Sequence, residues 1–346
     1  MSQKSVTITA LKQASVAPRP LPKLRDDYIL VKTASVALNP TDWKHIVLEA
    51  PVGLLVGCDY SGVVEEVGSA VKKSFRKGDR VCGFVHGSNK TQPEDGAFAE
   101  YIVAKGDVQM HMPDSLSFED GATLGVGITT VGQGLYQSLK LALPNNPISE
   151  PEPILIYGGS SATGSLAIQY AKLSGYKVFT TCSPHNFDFV KKLGADAVYD
   201  YHDPETALAI RQATNDNLKL VFDTISIDAS ARYCDNALST KGGEYSNLLA
   251  SKVPRENVNS RGTLGYTVFG ETFQKGARDW PAQPQDLEFG EMFWNLAETL
   301  IAEGKIKPHP AKVGAHGFQG VLGGLELMKE DKVSGEKLVY NVADTP

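Results

Sequence analysis

The stretch ILIYGGSSATGSLAIQYAKLSGYKV, residues 154–178, joins an apolar run, a turn of small residues and an amphipathic segment. We expect a buried strand over residues 154–157, a helix over 162–174 and a second strand over 177–182. A strand that enters a helix through a Gly-rich turn presents free backbone N–H groups, which can bind a phosphate. The stretch therefore predicts one βαβ unit of a nucleotide-binding sheet.

The residues around this stretch continue the same alternation of strands and helices. A helix is predicted before it, over residues 127–143. The later elements predicted are helices 186–193, 205–213 and 228–238 and strands 197–199, 218–223, 242–249 and 264–269. Six strands separated by helices favour a doubly wound parallel sheet of the Rossmann type.

The two ends of the chain have a different pattern, rich in short strands. Strands are predicted at 28–38, 61–68 and 96–104, and residues 77–85 are predicted to be a turn followed by a strand. A helix is predicted near 286–303 and a closing strand at 336–342. We therefore predict an α/β protein in which a Rossmann domain, residues 127–270, is inserted into a β-rich domain made of residues 1–126 and 271–346. Ligands of doubly wound sheets bind at the carboxyl ends of the strands, so the cleft between the domains is the expected active site.

Composition narrows the classes of partner. The 346 residues carry a formal net charge of −6 without any long basic run, which argues against a nucleic-acid partner. No apolar stretch is long enough to span a bilayer, and the N-terminus lacks the apolar core of a secretory signal, so we expect a cytoplasmic protein without a membrane partner. The cysteines are widely spaced and are expected to be reduced, partly buried thiols: Cys58, Cys82, Cys182 and Cys234.

The glycine turn has three interpretations. Gly159–Gly164 matches the dinucleotide fingerprint G-x-G-x-x-G except that Ser161 replaces the middle glycine. The turn also resembles a nucleophile elbow, with Ser160 followed in hydrolase order by Asp223 and His309. The third interpretation is an ordinary tight turn with small residues for close packing. Strands on both sides favour the dinucleotide interpretation.

The end of the second strand, FTTCSPHNFDF (residues 179–189), bears on the choice of nucleotide. NAD enzymes place an Asp or Glu at this tip to bind the ribose 2′-OH, but here the first acid, Asp188, falls inside the next helix. The side chains available at or near the tip are neutral or basic: Ser183, His185, Asn186, Lys191 and Lys192. This end therefore favours NADPH, although His185 could equally be a solvated turn residue.

Several stretches together resemble the medium-chain dehydrogenase/reductase superfamily, in its zinc-free branch of quinone and enoyl reductases. Besides the glycine turn, they are NPTDWKH (39–45), GCDYSGVVEEVG (57–68), KGDRV (77–81), GAFAEY (96–101) and SGEKLV (334–339). Three stretches are similar to the corresponding stretches of fungal trans-acting enoyl reductases, which partner polyketide synthases: YGGSSATGS (157–165), TCSPHNFD (181–188) and GYTVFGETF (265–273). The resemblance implies a GroES-like catalytic domain around the Rossmann domain.

Zinc-dependent members of the superfamily bind their catalytic metal through a Cys, a His-Glu pair and a later Cys. The matching segments here read LNPTDW, GCDYSG and LGVGITT, and the four-cysteine structural zinc lobe is absent. Cys58 stands near the His position, but one thiol beside Asp59 is not a zinc site. We therefore expect no metal.

The resemblance also implies roles for individual residues. The implied cofactor contacts are Pro40, Thr41, Asp42, Trp43, Ser160, Ser161, Ala162, Thr163, Ser183, His185, Asn186, Tyr201, Leu248, Leu249, Val333 and Ser334. For Leu248 and Leu249, plain core packing is the alternative. The substrate pocket would be lined by Gly127, Thr130, Thr267, Val268, Phe269, Gly270 and Glu271, within the segments 127–134 and 267–271.

The expected reaction is NADPH-dependent hydride transfer to the β-carbon of an enoyl or enone group. Lys44 and Thr130 are the candidate donors to the carbonyl oxygen, with the cofactor ribose hydroxyl as another, and solvent is the expected source of the proton. For Lys44, a surface position on a short helix is an equally good interpretation.

Other functions stay open at this point. They are a stand-alone reductase of quinones, enals or aldehydes, a serine hydrolase that uses Ser160, and a non-catalytic NADPH-binding protein. Many relatives dimerise through the sixth strand, here assigned to residues 264–269. The bulky, Pro-containing stretch after it, residues 270–285, favours a monomer.

Overall fold

The computed structural model describes residues 2–49 and 51–346. The chain folds as two compact units. The first, the β-rich unit, runs to Thr129 and resumes over Tyr266–Pro346, and the second, the α/β unit, is Thr130–Gly265. The sequence placed these divisions at 126/127 and 270/271. Within the described residues, no helix has the length and apolar character needed to cross a membrane.

Both units are built from short strands and helices. The strands are β1 Ser2–Ala10, β2 Gln13–Pro20, β3 Tyr28–Ala37, β4 Asp59–Val67, β5 Arg80–Phe84, β6 Tyr101–Lys105, β7 Gln109–His111, β8 Pro153–Tyr157, β9 Lys177–Thr181, β10 Ala197–Tyr199, β11 Leu220–Asp223, β12 Gly243–Asn247, β13 Val258–Gly262, β14 Phe273–Lys275, β15 Arg278–Trp280, β16 Ala311–Gly314 and β17 Lys337–Asn341. The α-helices are α1 Pro40–Lys44, α2 Phe118–Ala122, α3 Gly125–Val131, α4 Ala162–Leu173, α5 Phe187–Lys192, α6 Glu205–Ala213, α7 Asp228–Ala237, α8 Pro284–Ala302 and α9 Gly317–Lys329. Two π-helical turns, His45–Glu49 and Gly132–Ser138, and four 3₁₀ turns, Gly106–Val108, Pro184–Asn186, Gly265–Phe269 and Val342–Asp344, complete the described elements.

The β-rich unit is built on a seven-stranded sheet. Its strand order is β16-β17-β3-β4-β5-β7, and β6 also pairs with β3. β3 pairs with β6 through its first half and with β17 through its second half, so residues from both ends of the chain share one sheet. Apolar side chains of β3, β1 and α9, among them Ile29, Val6 and Phe318, form its core.

The α/β unit contains a six-stranded, all-parallel sheet with the order β10-β9-β8-β11-β12-β13. The chain runs outward from β8 to β10 and then returns to β11 on the other side of β8. The carboxyl ends of β8 and β11 therefore form the topological switch point, where doubly wound sheets bind nucleotides. The predicted doubly wound, Rossmann-type parallel sheet is confirmed.

Three predicted elements were wrong in position. Residues 264–269 are not the sixth strand, because β13 is Val258–Gly262 and Gly265–Phe269 is a 3₁₀ turn. Residues 263–269, TLGYTVF, include the β-branched and aromatic residues typical of a strand. Gly265 and Gly270 (φ 68°) nevertheless confine this stretch to a turn. The true edge strand, VNSRG at residues 258–262, is mostly polar. The argument for a monomer therefore used the wrong edge, and the monomer stays a prediction.

The other two errors concern element ends. The helix predicted over 127–143 is α3 followed by a π-helical turn that ends at Ser138, and Lys140 has a positive φ of 61°. The strand predicted over 96–104 begins only at Tyr101; before it, Phe98 makes separate backbone bonds, accepting from Val6 N and donating to Val56 O. Sequence reasoning also missed β1, β2, α9 and the β14–β15 hairpin.

Candidate active site

The glycine turn after β8 forms the start of α4. Gly158 has a φ of 81°, a conformation that glycine adopts without strain. Ser161 is the N-cap: its Oγ accepts a hydrogen bond from Gly164 N at 3.0 Å. The next backbone N–H groups, of Ala162 and Thr163, belong to the first helical turn, whose amides have no carbonyl partner within the helix. Ser161, which replaces the middle glycine of the fingerprint, therefore caps a helix whose first turn can bind an anion.

Close packing explains the glycines that flank this turn. A Cβ at Gly164 would lie 2.2 Å from the Gly158 carbonyl oxygen, and one at Gly159 would lie 2.1 Å from Thr180 Oγ1. Ser161 Oγ also lies 3.0 Å from Thr224 Oγ1, and this second hydroxyl donates to Tyr157 O at 2.8 Å. The turn is therefore tied to the end of β11.

Asp223, the acid of the hydrolase alternative, has a structural role. Its Oδ1 accepts from the backbone N–H of Ile225 and Ser226, and its Oδ2 accepts from the hydroxyls of Ser230 and Tyr245 at 2.6 and 2.7 Å. Burial raises the pKa of Asp223 and these hydrogen bonds oppose the shift. The carboxylate of Asp223 thus holds the loop after β11 in place. The structure therefore does not support Asp223 as the acid of a hydrolase triad.

The residues predicted around the 2′-phosphate come together after β9 and β10. Ser183 Oγ donates to Tyr201 Oη at 3.4 Å, and His185 Nε2 lies 3.3 Å from Asn186 Nδ2. Asn186 is buried, whereas the side chains of His185 and Tyr201 are exposed. Asp200 is a nearby carboxylate that the sequence analysis did not consider. It accepts hydrogen bonds from the backbone and ring nitrogens of His202.

Leu248 and Leu249 directly follow β12. Leu248 N donates to Ser226 Oγ at 2.7 Å, which links this strand end to the loop after β11. Leu249 is 53% exposed, so the alternative of core packing is wrong for this side chain.

The NPTDW motif of the β-rich unit forms α1. Asn39 N donates to Asp42 Oδ2 at 2.7 Å, so this carboxylate caps the helix start. Burial raises the pKa of Asp42 to about 7, against the effect of the Asn39 hydrogen bond. Pro40 is exposed, while Trp43 is partly buried and packs against the core. The structure thus gives Asp42 a capping role, and its predicted cofactor contact stays a prediction.

Tyr266 is a buried site residue that sequence reasoning missed. Its hydroxyl lies 2.8 Å from Thr41 Oγ1 and 3.7 Å from Cys58 Sγ. Its ring stacks on His86, with 4.0 Å between the ring centroids. The only signal in the sequence was its place in GYTVF, which was assigned to a strand.

Asp59, in the GCDYSG segment, forms a buried ion pair with Lys337. The Lys337 Nζ donates to Asp59 Oδ2 at 2.5 Å and to Asn39 Oδ1 at 2.9 Å. Asp59 also accepts from Asn39 Nδ2 and, at 2.6 Å, from Val126 N. An ammonium group on the carboxylate disfavours a second cation there, and no group of three potential metal ligands occurs among the described residues. These residues do not fit a zinc ion.

All four cysteines are buried free thiols, more fully buried than the sequence predicted. Burial raises the pKa of the Cys58 thiol, chiefly through desolvation and then through Asp42. The thiols are therefore protonated and have little nucleophilic character.

Lys44 and Thr130 occupy different compact units. Lys44 ends α1, is partly buried, and has its Nζ 5.7 Å from the centre of the Trp43 ring. Burial lowers the pKa of Lys44, against the effect of Asp331. Thr130 lies in α3 and is also partly exposed. The proposed catalytic roles of both residues stay predictions.

The predicted substrate segment Thr267–Glu271 ends in a carboxylate that is already engaged. Glu271 Oε1 accepts from Tyr28 Oη at 2.8 Å and from Lys105 Nζ at 2.7 Å. Glu271 and Phe269 line a small cavity of the β-rich unit together with Tyr266. Glu271 thus anchors the segment to β3 and β6.

The remaining predicted residues differ in burial. Thr267 and Val268 are buried, Gly127 is buried as well, and Gly270 is partly exposed. Val333 packs against the core of the β-rich unit, whereas Ser334 is exposed.

Comparison with known proteins gives consistent results. Residues 25–114 match the alcohol dehydrogenase GroES-like domain, and residues 162–248 match the zinc-binding dehydrogenase family. The trans-enoyl reductase TOXD of Cochliobolus carbonum is 61% identical over 292 residues, which cover 84% of this chain and 98% of that protein. The trans-enoyl reductase resD of Aspergillus sclerotiorum is 49% identical over 98% of this chain and 100% of its own length. An alcohol dehydrogenase superfamily protein from Novosphingobium aromaticivorans has the same fold, with a TM-score of 0.80 at 21% identity over 98% of this chain and 99% of that one.

Proposed function

This chain belongs to the medium-chain dehydrogenase/reductase superfamily, together with the trans-enoyl reductases, and from that premise we propose that it is an NADPH-dependent, metal-free enoyl reductase. The acceptor is the C=C bond of an α,β-unsaturated thioester of the polyketide type. The observation that carries the proposal is 49% identity to a curated trans-enoyl reductase along nearly the whole length of both chains.

The choice of NADPH is supported by the groups after β9 and β10. Ser183 and Tyr201 offer neutral hydroxyls, and His185 is exposed beside them. The acid that follows β10, Asp200, stays ionised, because hydrogen bonds from His202 lower its pKa. The proposal therefore rests on the end of β9, where an acid would repel a 2′-phosphate and the hydroxyl of Ser183 does not.

The metal-free reaction is supported by the chemistry of the residues at the zinc position. The Asp59 carboxylate is neutralised by Lys337 and also accepts a hydrogen bond from Asn39. Polarisation of the substrate carbonyl must then come from hydrogen-bond donors.

The residues have the following roles in the proposed reaction. NADPH, when bound, supplies a hydride for the β-carbon of the substrate. The amides of Ala162 and Thr163 hold the pyrophosphate. Lys44 is the proposed donor to the carbonyl oxygen as negative charge grows on it, with Thr130 or the cofactor ribose hydroxyl as the alternative donor. The proton that completes the α-carbon comes from solvent, so the products are the saturated thioester and NADP⁺.

The test is NADPH oxidation by the purified protein with a chelator present and an enoyl thioester as acceptor. We expect turnover that the chelator does not lower and that is faster with NADPH than with NADH. Ser160→Ala should weaken cofactor binding without abolishing reduction. If the protein binds NADPH tightly but none of enoyl thioesters, quinones and aldehydes oxidises it, the proposed enzymatic activity is refuted. The protein would then be an NADPH-binding protein.

A further inference from the structure

The ring of Tyr266 is held by contacts on several sides. It stacks on His86, with 4.0 Å between the ring centroids and an interplanar angle of 15°. Phe84 and Phe273 lie against it, at 5.6 and 6.1 Å between centroids. The Lys275 Nζ lies 5.3 Å from the ring centre. A ring packed in this way has little freedom to shift, so its hydroxyl has a fixed position within the β-rich unit.

The Tyr266 hydroxyl is a hydrogen-bond donor with one good acceptor. Burial raises the pKa of Tyr266 well above its ordinary value, so the phenol keeps its proton. Among the described residues, the hydroxyl has two hydrogen-bond partners, Thr41 Oγ1 at 2.8 Å and Cys58 Sγ at 3.7 Å. Sulfur is a weak acceptor, and the buried Cys58 thiol keeps its own proton. We therefore assign the phenol proton to the bond with Thr41 Oγ1.

This assignment leaves the proton of the Thr41 hydroxyl available for another acceptor. Among the described residues, the only hydrogen-bond partner of Thr41 Oγ1 is the Tyr266 hydroxyl. Thr41 is the second residue of α1, so its hydroxyl has no carbonyl one turn back in the same helix to bond. The Thr41 side chain is partly exposed, whereas Tyr266 is 5% exposed. The Thr41 hydroxyl can therefore donate outward, to an oxygen of a ligand.

We propose that Tyr266 is a positioning residue, which fixes the rotamer of Thr41 so that the Thr41 hydroxyl donates to an acceptor oxygen of a bound reactant. A threonine in a helix divides between two χ1 rotamers, and a hydrogen bond to its oxygen selects one of them. This inference rests on the proposed function, because the reactants are those of the proposed reduction. The acceptor oxygen belongs either to the nicotinamide riboside of NADPH or to the carbonyl group of the enoyl thioester, and binding measurements distinguish the two.

A double-mutant cycle of Tyr266→Phe and Thr41→Val tests the inference by binding alone. Each substitution removes one hydroxyl and keeps the approximate size of the side chain. The ligands are NADPH and, in the presence of NADP⁺ so that no hydride is available, an enoyl thioester. We expect each single variant to weaken the binding of one of these ligands about three- to tenfold, and the double variant to bind no more weakly than Thr41→Val. The affected ligand is the one that carries the acceptor oxygen.

Tyr60→Phe is the matched control for the loss of a buried hydroxyl. Tyr60 is a fully buried tyrosine of the β-rich unit, and its hydroxyl donates to Gln109 Oε1 at 2.9 Å. This variant should lose stability as Tyr266→Phe does but keep both affinities. Thr41→Ser, which keeps the hydroxyl, should retain most of the affinity that Thr41→Val loses.

Three results would overturn the inference. One is a Tyr266→Phe variant with unchanged affinities and unchanged kcat/KM. The second is a pair of losses, in Tyr266→Phe and Thr41→Val, that simply add in the double variant, because a residue that acts through Thr41 has no effect once the Thr41 hydroxyl is gone. The third is an equal loss of affinity in Tyr60→Phe, which would assign the effect to lowered stability.

Kinetics separate the inference from the proposed function. If the unmodified protein reduces the enoyl thioester, kcat/KM should fall about three- to tenfold in Tyr266→Phe and should not fall further when the same substitution is made in the Thr41→Val background. If the unmodified protein binds both ligands but does not reduce the thioester, the proposed function is refuted. The binding cycle then decides the inference by itself.

Discussion

Lys337→Met tests whether the buried pair with Asp59 organises the β-rich unit. Both side chains are almost fully buried, at 3% and 0% exposure, and the ammonium also holds Asn39. Removal of one partner from a buried pair costs about 3–5 kcal/mol, because the other charge is left uncompensated. Asp59 keeps two hydrogen-bond donors, from Asn39 and Val126, so we expect the lower end, about 3 kcal/mol.

The chain offers its own probe and control for this measurement. All three tryptophans, Trp43, Trp280 and Trp294, lie in the β-rich unit, so their fluorescence during urea unfolding reports that unit. Lys312→Met breaks an exposed pair with Glu336 and should cost less than about 1 kcal/mol. Comparison requires that the slope against urea be unchanged.

Two results would refute the reasoning. One is a decrease in the free energy of unfolding of Lys337→Met that is no larger than the decrease in Lys312→Met. The other is a double variant, Lys337→Met with Asp59→Asn, no more stable than the single variant, because removal of the stranded charge should recover more than about 1 kcal/mol.

Three further variants test the site. Gly164→Ala would press a Cβ against the Gly158 carbonyl oxygen, so the affinity for NADPH, measured by the fluorescence of the cofactor, should fall at least about tenfold. Gly323→Ala, in open space on α9, is the control and should bind NADPH normally. Ser183→Asp should lower the ratio of kcat/KM for NADPH over NADH about tenfold or more, since the new carboxylate repels the 2′-phosphate; an unchanged ratio would remove this position from the cofactor site. Burial raises the pKa of Asp42 to about 7, so the folded chain keeps a proton that the unfolded chain releases, and stability should fall as pH rises from about 4 to 7. Asp42→Asn should flatten that fall by up to about 1.4 kcal/mol per pH unit, and identical pH profiles of urea unfolding would contradict the assignment.

The sequence by itself determined the α/β unit in most detail. Helix α6 was predicted at the residues it occupies, and β8, α4 and β9 were predicted to within about a residue, because strong apolar periodicity and Gly-rich turns are local signals. The Gly-rich turn between β8 and α4 followed from the same local pattern. The polar edge strand β13 was missed because an edge strand buries little and so carries a weak apolar pattern.

Only the tertiary structure decided how distant residues combine in the β-rich unit. Lys337 reaches Asp59 from the opposite end of the chain, Tyr266 reaches Thr41, and Lys275 reaches His45. Such pairs depend on β17 lying beside β3 and on where the segment after residue 265 folds, and no local spacing in the sequence encodes either. Local patterns therefore determined the elements and the Gly-rich turn after β8, while long-range pairing placed the buried Lys337–Asp59 pair and Tyr266.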